Sequence, residues 1–403
     1  MYDRSPDATS KVLMRPLAIV SCCTQAGQAL GTLAPESAAC ARKPTSAMRT
    51  ALALAASACL LMFGEAHAEP LAIGVAAPLS GPLESLGSQV RTGAAIAAGR
   101  LDARITAVDD SCTAEGGRAA AQAFVEAKVA GVVGFLCTDA IEAALPVLKD
   151  ANIPVITVGV RTESLTDRRA KTGWPVYRLA PRGDDERNAA ASLLTQLWRD
   201  RLFAIVDDGT IYGRELAETV RNGAEQAVLK PVFIDTYRPD SDNQIGLVGR
   251  LKRAGAASVF VGGDGGDVAV MARDAAKLGA DIVFAGGEAL RSASEDIPYA
   301  DGTLMISLPE WADVADPAAL DAFKTANVIA EGYALPAYAA VEIAVAAAGK
   351  AGRDDRPVTA ELAGQDFTTA IGPIRFDEKG DLSGNPYRLF RYEGGRFVPA
   401  EEQ

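Results

Sequence analysis

The stretch GVVGFLCTDAIEAALPVLKDANIPVITVGVRT, residues 131–162, reads as strand, helix, strand. GVVGFLC is a short apolar run rich in valine. DAIEAALPVLKDA carries its apolar residues at helical spacing, and IPVITVGV is a second β-branched run. A helix between two such strands makes a parallel pair joined by a right-handed crossover.

The same unit recurs on both sides. Towards the N-terminus lie the strand LAIGVAAP (71–78), a helix from about 89 to 101, the strand RITAVDD (104–110) and the helix AEGGRAAAQAFVEAK (114–128). A break falls near Pro181–Asp184, after which the alternation restarts with a helix around 184–199. Strands follow at LFAIVDD, VFIDTY, SVFVGGD and DIVFAGG, separated by helices over 212–227, 243–255 and 266–278. Two such series predict an α/β fold of two doubly wound parallel-sheet lobes. Ligands of open parallel sheets sit beyond the carboxyl ends of the strands. Here those ends carry Ser80, Cys137-Thr138, Gly159 to Arg161, Asp207 to Tyr212, Asp264 and Glu288.

The N-terminal part has a different character. From Met48 the chain runs MRTALALAASACLLMFGEAHAEP, with Arg49, an apolar run over 51–63 and an Ala66-His67-Ala68 cleavage site. This is the pattern of a secretory signal peptide over 48–68, with cleavage expected before Glu69. Residues 1–47 show no helical or strand period, and they are expected to be a misassigned upstream extension. No segment after the signal is expected to reach transmembrane length.

Cleavage would leave 34 Lys and Arg against 48 Asp and Glu, a formal charge of −14, with no histidine and two cysteines. So acidic a chain repels phosphate backbones, which argues against a nucleic-acid partner. Without histidine the commonest general base and metal ligand are missing, so neither an enzyme nor a metal or cofactor site is expected. Two cysteines in an exported chain, Cys112 and Cys137, are expected to form one disulfide. A nucleophilic cysteine would lack a histidine partner, and two distant thiols are too few for a metal.

Several tempting signals carry little. VGGDGGD (261–267) is not a dinucleotide fingerprint and no Walker lysine follows it. Asp109-Asp110 and Asp207-Asp208 are read as polar strand ends capping the next helix. DSDNQIG (240–246) lacks the glycine and glutamate of a calcium loop.

PLSGPLESLG (78–87), DDSC (109–112) with GFLCT (134–138), VDDGTIYGRELAETV (206–220), GGE (286–288) and IGPIRFDEKGDLSG (371–384) together resemble the periplasmic leucine/isoleucine/valine-binding proteins. These are the substrate-binding subunits of branched-chain amino-acid ABC importers. The resemblance implies a type I periplasmic-binding-protein fold with a three-stranded hinge. It places one lobe at 69–182 plus 310–386 and the other at 183–309 plus 387–403. It implies that Thr138 and Gly159 to Arg161 hold a ligand carboxylate, with Asp139 beside them. Tyr212 would pack on the ligand and Glu288 would receive its ammonium. Three positions depart from the family pattern: Leu86 stands where an aromatic is common, Arg161 where threonine is, and Asp264 where a second-lobe tyrosine is. Arg161 could bind a carboxylate, meet a second acid or pair with Asp264.

The implied function is capture of an amino acid or related small carboxylate by a monomeric periplasmic protein, and delivery to a membrane permease. A sensor of the same fold, presenting ligand to a receptor, is the alternative. A histidine-free hydrolase using paired carboxylates is a third reading, but no carboxylate pair stands out.

Overall fold

The computed structural model describes residues 70–292 and 297–400. The expected signal peptide and upstream extension lie outside the described residues. The first sheet is wholly parallel. Its strands are β1 (Leu71–Ala77), β2 (Ala103–Asp109), β3 (Gly131–Gly134), β4 (Val155–Thr157) and β5 (Val176–Arg178), in the order β2–β1–β3–β4–β5. Alternate residues of β1 feed two separate cores. Ile73, Val75 and Ala77 face helices α1 (Glu84–Arg100) and α9 (Ala334–Asp354). Ala72 and Ala76 face α2 (Ala114–Glu126) and α3 (Thr138–Asp150). Period-two alternation with both faces apolar is what a doubly wound sheet requires.

An antiparallel hairpin of β11 (Asp366–Thr369) and β12 (Gly372–Arg375) adds Phe367 and Phe376 to the core under α9. Phe323, from α8 (Pro317–Thr325), joins the same core.

The second sheet contains β6 (Phe203–Asp207), β7 (Phe233–Thr236), β8 (Ser258–Gly262), β9 (Val283–Gly286), β10 (Leu304–Ser307), β13 (Arg388–Glu393) and β14 (Arg396–Pro399). Its order is β14–β13–β10–β9–β8–β6–β7; β6 to β10 are parallel, and β13 and β14 are antiparallel additions at one edge. Helices α4 (Asp185–Leu197) and α5 (Ile211–Gln226) cover one face, where Ile205, Phe260 and Ile306 are buried. Helices α6 (Ile245–Ala254) and α7 (Gly265–Lys277) cover the other, over Val206, Val259 and Val261. The chain therefore passes between the sheets three times: after β5, after β10, and between β12 and β13.

Three expectations need correction. Helix α1 starts at Glu84, five residues earlier than its apolar pattern suggested, because the Gly81–Leu83 turn leads straight into it. Helix α9 is long and apolar enough to cross a membrane, contrary to the expectation that no such segment follows the signal. Instead 72% of its apolar window is buried inside the protein, so it is a core helix. The strand-end aspartates are not the helix caps. Thr113 and Thr210 are, their hydroxyls accepting from Gly116 and Gly213 N–H. Asp109 accepts from the Leu79 and Ser111 N–H groups and the Ser80 hydroxyl, while Asp208 accepts from Thr210, so both hold turns.

Candidate functional site

A cavity of about 400 Å³ opens between the carboxyl ends of the two sheets and the strand crossings. Arg161 lines it from the loop after β4, and Glu288 from the turn after β9. Arg161 Nη1 donates to Glu288 Oε1 at 2.9 Å, so the two sheets meet through a charged pair. Tyr387, just before β13, joins both. Its hydroxyl donates to Glu288 Oε2 at 2.7 Å and accepts from Arg161 Nη2. Behind Glu288 lies a second carboxylate, Glu186, at the start of α4. Its Oε1 accepts from the Glu288 backbone N–H and from the Tyr212 hydroxyl, both at 2.7 Å.

Close packing makes this arrangement possible. A Cβ on Gly287 would sit 2.2 Å from Glu186 Oε1 and 2.7 Å from the Tyr212 hydroxyl, so only glycine lets the two approach the loop. A Cβ on Gly159 would lie 2.4 Å from Leu136. Arg161 itself is held from behind. The Arg178 guanidinium, wholly buried, donates from Nη1 to the Val160 and Thr162 carbonyls, and Gly183 N–H donates to the Arg161 carbonyl. Arg178 is held in turn by Asp381 at 2.8 Å, the last acid of the DEKGD run, which also accepts from Thr166 and Arg182.

The local charges follow from these contacts. Burial alone would weaken the charged form of Arg161. The hydrogen bond from Arg161 to Glu288 and the nearby Tyr387, Glu288 and Glu186 outweigh it, and the guanidinium is held more firmly protonated than usual. Burial pushes the Glu186 carboxyl up, although Tyr212 and the Glu288 N–H oppose the shift. Burial and then the adjacent acids push the Tyr212 and Tyr387 hydroxyls up, so both remain neutral donors.

The rest of the cavity is largely apolar, with Leu179, Leu308, Trp311, Tyr333 and Ile371 on its walls. Arg291 and Glu310 also line it and form their own ion pair.

Of the positions expected from sequence, Gly159, Arg161 and Glu288 line this cavity. Tyr212 stands behind it through Glu186, and Thr138 shares a 2.6 Å hydrogen bond with Thr162, next to Arg161. Leu86, Asp139 and Asp264 are not on its walls; Asp139 and Asp264 are exposed at helix starts. Arg161 pairs with Glu288, not with Asp264. Cys112 and Cys137 are joined, their Cα atoms 5.2 Å apart, and tie the loop after β2 to the start of α3. No group of three or more acidic, histidine or cysteine side chains suited to a metal occurs among the described residues.

The model of the periplasmic binding protein family matches residues 70–396. The chain belongs to this family. Its members bind small molecules rather than transform them, so the protein is a periplasmic binding protein and not an enzyme. Among curated relatives, the Leu/Ile/Val-binding protein homolog 3 of Brucella melitensis is 28% identical over 368 residues, covering 87% of this chain and 99% of its own. The leucine-, isoleucine-, valine-, threonine- and alanine-binding protein of Pseudomonas aeruginosa is 27% identical over 340 residues, covering 81% and 90%. A candidate branched-chain amino acid ABC transporter protein solved from Rhodospirillum rubrum superposes with a TM-score of 0.69 at 19% identity. It covers 82% of this chain and 100% of its own, and it shares the type I periplasmic-binding-protein fold.

The binding protein's cavity also uses residues that sequence reasoning missed. Trp311, on the second crossing, and Tyr333, just before α9, line the cavity, while Glu186, at a helix start, and Tyr387, on the third crossing, bind the Arg161–Glu288 pair from outside it. None of these places carries a strand-end signal.

Proposed function

We propose that this protein is the substrate-binding component of an ABC importer. It closes on a small carboxylate, an amino acid or a related acid, and presents it to a membrane permease. One observation carries the ligand class: Arg161 and Glu288, one from each sheet, meet at 2.9 Å on the wall of a 400 Å³ cavity. A guanidinium there offers donors matched to a carboxylate, and the apolar walls suit the remainder of a small organic acid. The curated relatives are named for leucine, isoleucine and valine, and the transporter role rests on those names and on the family.

In this reading the lobes comprise residues 69–182 with 310–386, and 183–309 with 387–403, pivoting at the three crossings. The chain loses its signal before Glu69, acquires the Cys112–Cys137 disulfide in the periplasm and works as a monomer.

A thermal-shift screen over amino acids, dicarboxylates, amides and aromatic acids tests the ligand class. At a hundredfold excess over Kd a true ligand stabilises the fold by about 2.7 kcal/mol. A screen in which only uncharged sugars or bases shift the transition would refute it. Mass spectrometry of the exported protein tests the processing, with Glu69 expected first.

A further inference from the structure

We infer that Gln89, on α1, is a positioning residue that sets which ligands the cavity accepts, by seating the wall segment 329–333. This rests on the small-carboxylate reading above and adds to it a residue that lies off the cavity wall.

Four residues of that segment, Ala330, Glu331, Gly332 and Tyr333, line the cavity. The segment joins α8 to α9, and its hydrogen bonds are few. The Ala334 N–H donates to the Glu331 carbonyl and the Ala337 N–H to the Tyr333 carbonyl, both local contacts at 3.0 Å. Among the described residues, one hydrogen bond ties 329–333 to a distant element: the Tyr333 N–H donates to Gln89 Oε1 at 3.1 Å. Ile329, at the start of the segment, is 75% exposed and adds little burial. A stretch with so few anchors takes its shape from the anchor it has.

Packing fixes where that anchor sits. Gly332 has a φ of +52°, and a Cβ there would lie 2.2 Å from Gln89 Oε1. One turn along α1, a Cβ on Gly93 would lie 1.9 Å from the Ala334 carbonyl oxygen. Positions 89 and 93 share one face of the helix, so that face meets the end of the segment and the start of α9 through two glycines. The helix itself is held by its core, where Val90, Ala94 and Ala97 are buried with Leu335 and Tyr338. Gln89 thus carries the fixed position of α1 to Tyr333. Arg161, Leu179 and Trp311 line the cavity from a strand end and the crossings, none of them through Gln89. The gap between those residues and Tyr333 limits the body of the ligand, so Gln89 governs discrimination between ligands and leaves the charged contacts to Arg161 and Glu288.

Thermal-shift titrations of the full protein with leucine, phenylalanine, glutamate and benzoate give the test. The quantity read is the ratio of apparent Kd between the tightest probe and the next. Gln89→Met keeps the side-chain length and removes the acceptor, and the ratio is expected to fall about fivefold or more. Gln89→Glu keeps an acceptor and is expected to hold the ratio within about twofold. Gly332→Ala is expected to weaken the tightest probe about tenfold. Gln89→Ala/Gly332→Ala is expected to recover about threefold of that, because the shortened residue 89 makes room for the methyl group. Unliganded melting temperatures show that each variant is folded. Hydrogen exchange of the Tyr333 amide, expected to quicken about fivefold in Gln89→Met, shows that the contact has been released. An unchanged amide in Gln89→Met overturns the inference, and so does a faster amide with an unchanged ratio. A Gln89→Glu that behaves as Gln89→Met does, or equal weakening in Gly332→Ala and the double variant, overturns it too. Each of these leaves the small-carboxylate reading standing, whereas a wild type that none of the four probes stabilises brings both down.

Discussion

Asp110 shows how much one side chain can be made to carry. It is fully buried beside the disulfide loop; one oxygen accepts from Cys112 N–H and the other has no partner. Burial, with the Asp109 charge adding to it against the Cys112 N–H, pushes its carboxyl up from 3.8 to about 6. The folded protein thus holds an extra proton between those values. The contribution to stability is full below the window and is lost as pH rises through it. Asp110→Asn removes the charge and keeps the acceptor. It is expected to stabilise the protein at pH 7 by about 1–3 kcal/mol and to be nearly neutral at pH 4. Urea denaturation of both proteins at the two pH values checks this, and an equal difference at both would contradict it. Asp381 is the opposite case, a buried acid fully committed to the Arg178 and Arg182 guanidinium groups. Asp381→Ala leaves Arg178 charged and unpaired in the core. An expected loss of about 3–5 kcal/mol, read as a lower urea midpoint, follows from that alone. The same change frees the 160–162 loop that carries Arg161, so ligand affinity is expected to fall with it in calorimetry.

Single elements explain what was legible from sequence and what was not. The β–α repeat from β1 to β9 was readable because buried parallel strands are apolar runs and their helices have one apolar face. The candidate site was readable where it sits on strand ends, at Gly159, Arg161 and Glu288. Strand β5 is the exception: it is as short as β4, but β4 sits inside the apolar run IPVITVGV, whereas β5 is two apolar residues followed by Arg178 between prolines. Helix α9 buries 13 of its 21 residues, so its sequence has no polar stripe to mark it as a globular helix. Tyr387 and Glu186 reach the site through chain crossings and a helix start, where only the assembled fold brings residues some 100 to 200 positions apart together. The loops bearing Cys112 and Cys137 give the prediction at this scale. Their bridge closes a loop of 25 residues. Reduction, or a Cys112→Ala/Cys137→Ala double substitution, is expected to cost about 3 kcal/mol. Denaturation with and without reductant measures it. A loss well under 1 kcal/mol would mean that the hydrogen bonds of Asp109 and Asp110 already fix these loops without it.

At the scale of the molecule, four cores on two sheets leave little but three chain crossings and the cavity contacts to set the angle between lobes. The Arg161–Glu288 pair is one of those contacts, and Tyr387 on the third crossing ties it in. Side chains 38% and 31% exposed hold an ion pair worth about 1 kcal/mol, and that much changes an open-to-closed ratio about fivefold. The unliganded protein is therefore expected to favour a closed arrangement more than one whose cleft lacks such a pair. Small-angle scattering without ligand should give a larger radius of gyration for Arg161→Thr than for the wild type. Glu288→Ala should expand the protein similarly, and the double variant should add little to either, because both substitutions break the same contact. Ligand should then contract the variants more than the wild type. Identical scattering from all four proteins without ligand would mean that the crossings and the other inter-lobe pairs, Arg291–Glu310 and Arg187–Glu163, set the angle, and that the Arg161–Glu288 pair serves the ligand but not the closure.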